Sequence, residues 1–104
     1  PPFTRMVAIE IESVNEQAGE IFANSIKKIL VRILKGTNDI EILGPARAAL
    51  YQINSRFRRH LILRSYDRRK LQLVLKRLYE TPEIKKSSNP KIKLTLDIDP
   101  INLM

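Results

Sequence analysis

The stretch RFRRHLILRSYDRRKLQLVLKRL, residues 56–78, places a strand pattern directly before a helix pattern. From Arg56 to Arg64, polar and apolar residues largely alternate, which is typical of a strand with one buried face. After Ser65 or Asp67, either of which can serve as the N-cap, the apolar residues recur at helical spacing instead. The apolar stripe of this helix consists of Leu71, Val74, Leu75 and Leu78. The segment therefore predicts a domain that mixes helix and sheet.

Upstream of this segment, Asn54-Ser55 predicts a two-residue hairpin turn that joins the strand to an earlier one. The earlier strand is predicted to start at Ile40, to be interrupted at Gly44-Pro45 and to resume over Ala48–Ile53. Because proline cannot donate a hydrogen bond to a sheet, we expect a bulge or an edge position at the interruption.

The first part of the chain repeats the order of strand and helix. Arg5–Ser13 alternates cleanly and predicts a strand whose inward residues are Val7, Ile9 and Ile11. A helix then follows, with either a capping box of Ser13 and Glu16 or Asn15 as its N-cap, and with Gly36 as its C-cap. The apolar stripe of this helix consists of Ala18, Phe22, Ile26, Ile29, Leu30 and Ile33.

The last part of the chain predicts one more strand. Thr81-Pro82 is expected to end the second helix, and the polar residues Glu83–Pro90 are expected to form a mobile loop. Lys91–Asp99 alternates again, and its inward residues are predicted to be Ile92, Leu94, Leu96 and Ile98. The order β-α-β-β-α-β is that of the split βαβ or ferredoxin-like fold, an α+β class with two helices on one face of a four-stranded antiparallel sheet. The other face is left open to a partner or to another domain.

Composition limits the function. The 104 residues fit a single domain, and 19 Lys or Arg against 11 Asp or Glu give a net charge of +8. Such an excess favours nucleic acid, an acidic protein segment or an anionic surface as partner, although a merely solvated surface has the same composition. With no cysteine and a single histidine, His60, the chain has no thiolate or histidine-cluster metal site. No glycine-rich phosphate loop or catalytic constellation is present, so we expect no enzyme activity from this chain alone.

The sequence also gives an expectation for the cellular compartment and for the length of the whole protein. No apolar run is long enough to span a membrane and no signal peptide opens the chain, which favours the cytoplasm. The chain begins at Pro1 rather than methionine, so we expect it to be a piece of a longer protein.

Positive charge is concentrated in residues 56–77, which carry nine bases and one acid. By strand parity, Arg56, Arg58, His60 and Arg64 project from one face, and a row of arginines on an open sheet face suits a phosphate backbone. Arg59 has the opposite parity, so a bulge or a long stem reaching the edge must bring it to the same track. These five residues are the candidate DNA-binding set. The alternative, that the arginines pair with acids of a neighbouring domain, stays open.

A second candidate site lies on the second helix. Arg68, Gln72 and Lys76 are spaced four residues apart and form one polar stripe beside the apolar stripe. A cation next to an apolar wall suits a peptide carboxylate with a hydrophobic anchor. On spacing alone, a solvated helix face explains the stripe better.

Four short motifs, in order, are similar to those of a known family. They are Pro1-Pro2-Phe3-Thr4-Arg5, Gly44-Pro45-Ala46, Arg56-Phe57-Arg58 and Leu96-Asp97-Ile98-Asp99-Pro100-Ile101-Asn102-Leu103. Together they span nearly the whole chain, which therefore resembles the C-terminal domain of the PriA family, the bacterial primosomal proteins N-prime that restart stalled replication forks.

The resemblance implies a parent that is an ATP-dependent DNA helicase moving 3′ to 5′. Its ATP, magnesium and zinc sites would lie upstream, so no cofactor is expected in this chain. The C-terminal domain of such a protein is expected to contact forked or single-stranded DNA and to lie against the helicase core of the same chain. It also borders a pocket for the acidic C-terminal tail of single-stranded DNA-binding protein, and the family's pocket residues correspond to Arg68 and Gln72.

The chain departs from the family pattern in places that bear on function. The run Gly44-Pro45-Ala46-Arg47-Ala48-Ala49 lacks two of the family's prolines, and Arg59 stands where a second aromatic residue is usual. This departure favours phosphate contacts over base stacking at the strand.

Two other classes of protein have this order of elements. One is a free-standing RNA- or ribosome-binding protein of similar fold. The other is a small enzyme such as an acylphosphatase, which needs a glycine-rich anion loop after the first strand. Here that loop is the acidic stretch Glu12-Ser13-Val14-Asn15-Glu16, which would repel phosphate.

Overall fold

The computed structural model describes residues 5–85 and 91–98, without the side chains of residues 49 and 50. The elements are β1 (Arg5–Ser13), α1 (Glu16–Ile33), β2 (Ile40–Ile53), β3 (Arg56–Ser65), α2 (Arg68–Glu80), α3 (Pro82–Lys85) and β4 (Ile92–Ile98). The four strands form an antiparallel sheet in the order β2-β3-β1-β4. The predicted α+β order of elements is confirmed, with the short α3 added.

The core lies between the two long helices and one face of the sheet. Val7, Ile9 and Ile11 of β1 are buried there as their parity predicts, and Leu61 and Leu63 of β3 lie beside them. The helices supply Ala23, Ile26, Ile29, Leu30, Leu71, Val74, Leu75 and Leu78 to the same cluster. Because β1 and β3 are the two central strands, they carry the tightest part of the core.

The start of α1 lies directly against the end of β1. A Cβ atom added at Gly19 would lie 2.1 Å from Ser13 Oγ, so glycine is required for this close approach. Ser13 is a buried strand residue paired with Phe57 and Ile92, not a helix cap. The N-cap is Asn15, whose side-chain oxygen accepts a hydrogen bond from the backbone N–H of Ala18 at 2.8 Å.

Replacing Asn15 by alanine is expected to destabilise the domain by about 1 kcal/mol, because the capping hydrogen bond to the first turn of α1 is lost. The melting temperature should fall by roughly 4–8 °C. Asn24→Ala, at an exposed position inside the same helix, is the control and should be neutral or slightly stabilising. Equal melting temperatures for the two variants would contradict the assignment of Asn15 as the cap.

The β2–β3 hairpin has the predicted two-residue turn. Asn54 and Ser55 have φ angles of 52° and 65°, and two positive φ angles in succession are those of a type I′ turn. The pairing of β2 with β3 shifts register between Leu43 and Ala46, which confirms the bulge predicted at Gly44-Pro45, where the peptide bond is cis. β2 is an edge strand, so the proline interrupts no ladder on its outer side.

Three details differ from the sequence predictions. Glu83 lies in the helical turn α3, which also anchors the buried Ile84 in the core, so the predicted mobile loop does not start at Glu83. Leu34 rather than Gly36 is the C-cap of α1, whereas Asp67, one of the two predicted N-caps, caps α2. Ile98 was predicted to point inward but is 64% exposed, because it is the last residue of the edge strand β4. Residues 86–90 and 99–104 lie outside the described residues.

Candidate nucleic-acid and peptide interface

The predicted arginine row is present on the face of the sheet that the helices leave open. Arg56, Arg58, His60 and Arg64 are half-buried on β3, whereas Leu61 and Leu63, of the other parity, are fully buried against the helices. The two-residue period of a strand therefore brings four of the five candidate DNA-binding residues to one face.

Each of these four side chains contacts a carboxylate of a neighbouring strand. Arg56 lies 3.6 Å from Glu12, Arg58 forms an ion pair with Glu10, and Arg64 forms an ion pair with Glu41. The Nε2 atom of His60 lies 3.3 Å from the same Glu10. The positive charge of the row is thus compensated within the sheet, and a phosphate that bound here would have to displace a carboxylate.

The cross-strand register explains the pairing. Arg64 is directly opposite its partner Glu41 of β2. On β1, Glu12 is opposite Arg58 and Glu10 is opposite His60, so the ion pairs of Arg56 with Glu12 and of Arg58 with Glu10 run diagonally, two residues along the strand. The sequence itself gives a partial signal, since Glu10 and Glu12 share the outward parity of β1. Without the register, however, the acids could not be assigned to particular arginines.

Arg59 lies apart from the other four candidates. It is 8% exposed and points to the helix side of the sheet, and the continuous pairing of β1 with β3 shows no bulge at this position. Its guanidinium lies 3.5 Å from Glu20 and 3.7 Å from Glu16, both on α1. The long stem thus carries the charge to acids at the start of α1 rather than to the open face.

Tyr51 of β2 forms a cluster with Arg59 and with Glu16 and Glu20 of α1. Its hydroxyl accepts a hydrogen bond from Arg59 at 3.1 Å, and its ring lies below Arg47, whose guanidinium carbon is 4.6 Å from the ring centre. Partial burial, followed by a hydrogen bond to Glu16, raises the pKa of the Tyr51 hydroxyl above its usual value. The cluster ties the β2–β3 hairpin to α1.

A small cleft is present beside the second candidate site. It has a volume of about 60 Å³ and lies between the start of β1, the first half of α2 and the end of β4. Arg68 and Gln72, two residues of the predicted peptide-binding stripe, line this cleft together with Arg5. Leu71, Leu75 and Ile98 supply its apolar surface. Lys76, the third member of the predicted stripe, is exposed and does not line the cleft.

Two residues of this cleft were not singled out from the sequence. Arg5 comes at the start of β1 and Ile98 at the end of β4, and the two strands are neighbours in the sheet. Only the pairing of Val7 with Ile98 places these two strand ends together. The cleft therefore offers two arginines and an exposed apolar side chain, a combination that suits a carboxylate with a bulky apolar neighbour.

Within residues 5–85 and 91–98, no three His, Asp or Glu side chains lie together in a way that could hold a metal ion. In the same residues, no helix is both long and apolar enough to cross a membrane.

Comparison with known proteins identifies a family and a curated relative. A family model described as the primosomal protein N C-terminal domain matches residues 1–101. A curated protein of Synechocystis sp., named replication restart protein PriA, is 28% identical over 103 residues, which are 99% of this chain and 11% of that protein.

Among solved structures, a de novo designed protein, Foldit4, is similar with a TM-score of 0.62 and 19% identity over 90% of this chain and 96% of its own. A dimeric ferredoxin-like protein from an uncultured marine organism has a TM-score of 0.59 and 17% identity, over 91% of this chain and 92% of its own. At these identities the likeness concerns the fold alone, and it agrees with the predicted ferredoxin-like class.

Proposed function

The chain belongs to the family of primosomal protein N C-terminal domains, and from this membership we propose that it is the DNA- and protein-binding domain of a replication restart helicase. The chain spans 11% of the length of its curated relative, so most of such a protein lies outside it. We propose that the parent is an ATP-dependent 3′-to-5′ DNA helicase in the cytoplasm, and that its ATP, magnesium and zinc sites lie in that remainder. In this proposal the domain binds and positions partners and does no chemistry itself.

The observation that carries the proposal is the cleft beside α2. Arg68 and Gln72 line the cleft and can donate hydrogen bonds to a carboxylate of the ligand. An apolar side chain of the ligand can pack against Leu71, Leu75 and Ile98. These are the properties of the acidic C-terminal tail of single-stranded DNA-binding protein, which we propose as the ligand. Ile98 is 64% exposed and its burial on binding would add to affinity.

DNA contact is the second part of the proposal. The net charge of +8 favours a polyanion, and we propose forked or single-stranded DNA as this partner. The helicase core of the same chain is the proposed neighbour of the sheet face. The alternative of a free-standing RNA- or ribosome-binding protein is not favoured, because the family model covers residues 1–101.

Binding of a fluorescent peptide that copies the tail of single-stranded DNA-binding protein tests the cleft. Replacing Arg68 by glutamine should weaken binding by about tenfold to a hundredfold, because a charge-assisted hydrogen bond is lost. The matched control is Arg69→Gln, which removes the same charge from the next residue, outside the cleft, and should change affinity by less than about threefold. Equal losses in the two variants would mean that the peptide senses net charge only, and the cleft would not be its site.

A further inference from the structure

The bases of α2 are compensated by fewer carboxylates than the arginines of β3 are. All four arginines of β3 are within 4 Å of a carboxylate, and they engage Glu10, Glu12, Glu16, Glu20 and Glu41. The sequence of α2 has a single acid, Glu80, against five bases, and its first turn contains no acid. These five glutamates therefore pair with β3, and α2 keeps an excess of positive charge.

Three of the α2 bases form an exposed ridge. Arg69, Lys76 and Arg77 follow the helical spacing i, i+7 and i+8, which places them on the outward side opposite the buried Leu71, Val74, Leu75 and Leu78. Within the part of the chain that the structure describes, none of the three has a carboxylate within ion-pair distance. Lys70 is different, because it forms an ion pair with Asp39. We call Arg69, Lys76 and Arg77 the α2 ridge.

We propose that the α2 ridge, and not the sheet face, holds the sugar-phosphate backbone of the DNA; this rests on the proposed DNA-binding function. A phosphate that reaches the ridge displaces water and counterions only, whereas a phosphate on the sheet must also break an arginine–carboxylate pair. The three charges are spread along about 12 Å of helix, which allows contacts to successive phosphates.

The shape of the ridge favours a polyanion over an acidic peptide. The ridge is convex, and Leu73, 60% exposed, is the apolar side chain between its charges. An acidic peptide gains specificity from an apolar pocket, and on α2 that pocket lies on the other flank, at Arg68 and Gln72. The two flanks of one helix would thus bind two ligands, DNA on the ridge and the protein tail in the cleft.

The test is fluorescence anisotropy of a forked DNA across a salt series with two variants of equal net charge. The ridge variant carries Arg69→Gln, Lys76→Gln and Arg77→Gln, and the sheet variant carries Arg56→Gln, Arg58→Gln and Arg64→Gln. We expect the ridge variant to lower the slope of log affinity against log salt by about 2 to 3, and the sheet variant to lower it by less than about 1. The reverse order would overturn the inference and leave DNA binding itself intact.

A second measurement avoids any variant that fails to fold. Arginine modification of the unaltered protein by phenylglyoxal, read by mass spectrometry, should show DNA protection at Arg69 and Arg77 and none at Arg56 or Arg64. Protection confined to the sheet arginines would overturn the inference.

If the unaltered protein binds no DNA at low salt, the DNA part of the proposed function fails, and the inference fails with it. If the ridge variant loses the acidic peptide but keeps DNA, the ridge is a protein-binding surface instead.

Discussion

Alanine in place of Gly19 is expected to destabilise the domain by about 2 kcal/mol, because the added methyl group overpacks the junction of α1 and β1. The new Cβ would lie 2.1 Å from Ser13 Oγ and 2.9 Å from Ser13 Cβ. The hydroxyl can rotate away, but Cβ is fixed to the backbone, so the helix must move off the strand. This cost exceeds the gain in helix propensity of about 1 kcal/mol that alanine brings over glycine. Thermal unfolding should show a fall of roughly 8–16 °C.

A second substitution on the facing strand makes the cause testable. Ser13→Gly removes both atoms that the methyl group would meet, and alone it should cost about 1 kcal/mol for glycine in a strand. The double variant should be no less stable than Ser13→Gly alone, which corresponds to a coupling energy of about 2 kcal/mol. Gln17→Ala, at an exposed position of the same helix, is the control. Additive effects of the two substitutions would show that the Gly19–Ser13 contact is not the source.

The order and faces of the elements were predictable because local periodicity encodes them. The parity of Val7, Ile9 and Ile11 marked the buried face of β1, and Gly44-Pro45 marked the bulge in β2. Both signals lie within a few consecutive residues, so no knowledge of the fold was needed. By contrast, the exposure of Ile98 depends on the place of β4 at the edge of the sheet, which no local pattern contains.

The candidate sites were less predictable, because charge compensation is a property of the tertiary structure. Parity placed Arg56, Arg58 and Arg64 on one face, but the glutamates that neutralise them come from β1 and β2, up to 48 residues away in the chain for Arg58 and Glu10. The cleft had a stronger local signal, since Arg68 and Gln72 are one helical turn apart. The contribution of Arg5 and Ile98 to that cleft required the pairing of β1 with β4.

Arg59→Glu is expected to destabilise the domain by about 3 kcal/mol or more, because it places an uncompensated carboxylate in a buried position. The native side chain is 10% exposed and its partners Glu16 and Glu20 would then repel the new charge. The deficit should shrink on acidification, because a protonated side chain needs no counter-charge. Chemical denaturation at neutral and at acidic pH would measure both effects.

Arg59→Met tests whether the charge itself is needed, and here a small effect is expected. The acids that lose their partner, Glu16 and Glu20, are 42% and 57% exposed and are resolvated by water, so the change should stay within about 1 kcal/mol. Arg56→Glu, on the open face of the same strand, controls for charge reversal and should cost much less than Arg59→Glu, because its side chain is 38% exposed.

In the same Arg59→Met protein, the salt dependence of DNA binding should be unchanged. If the slope of log affinity against log salt falls by about 1, Arg59 contacts DNA and belongs to the DNA-binding set. If the slope and the stability are both unchanged, the role of Arg59 is to pack between the hairpin and α1.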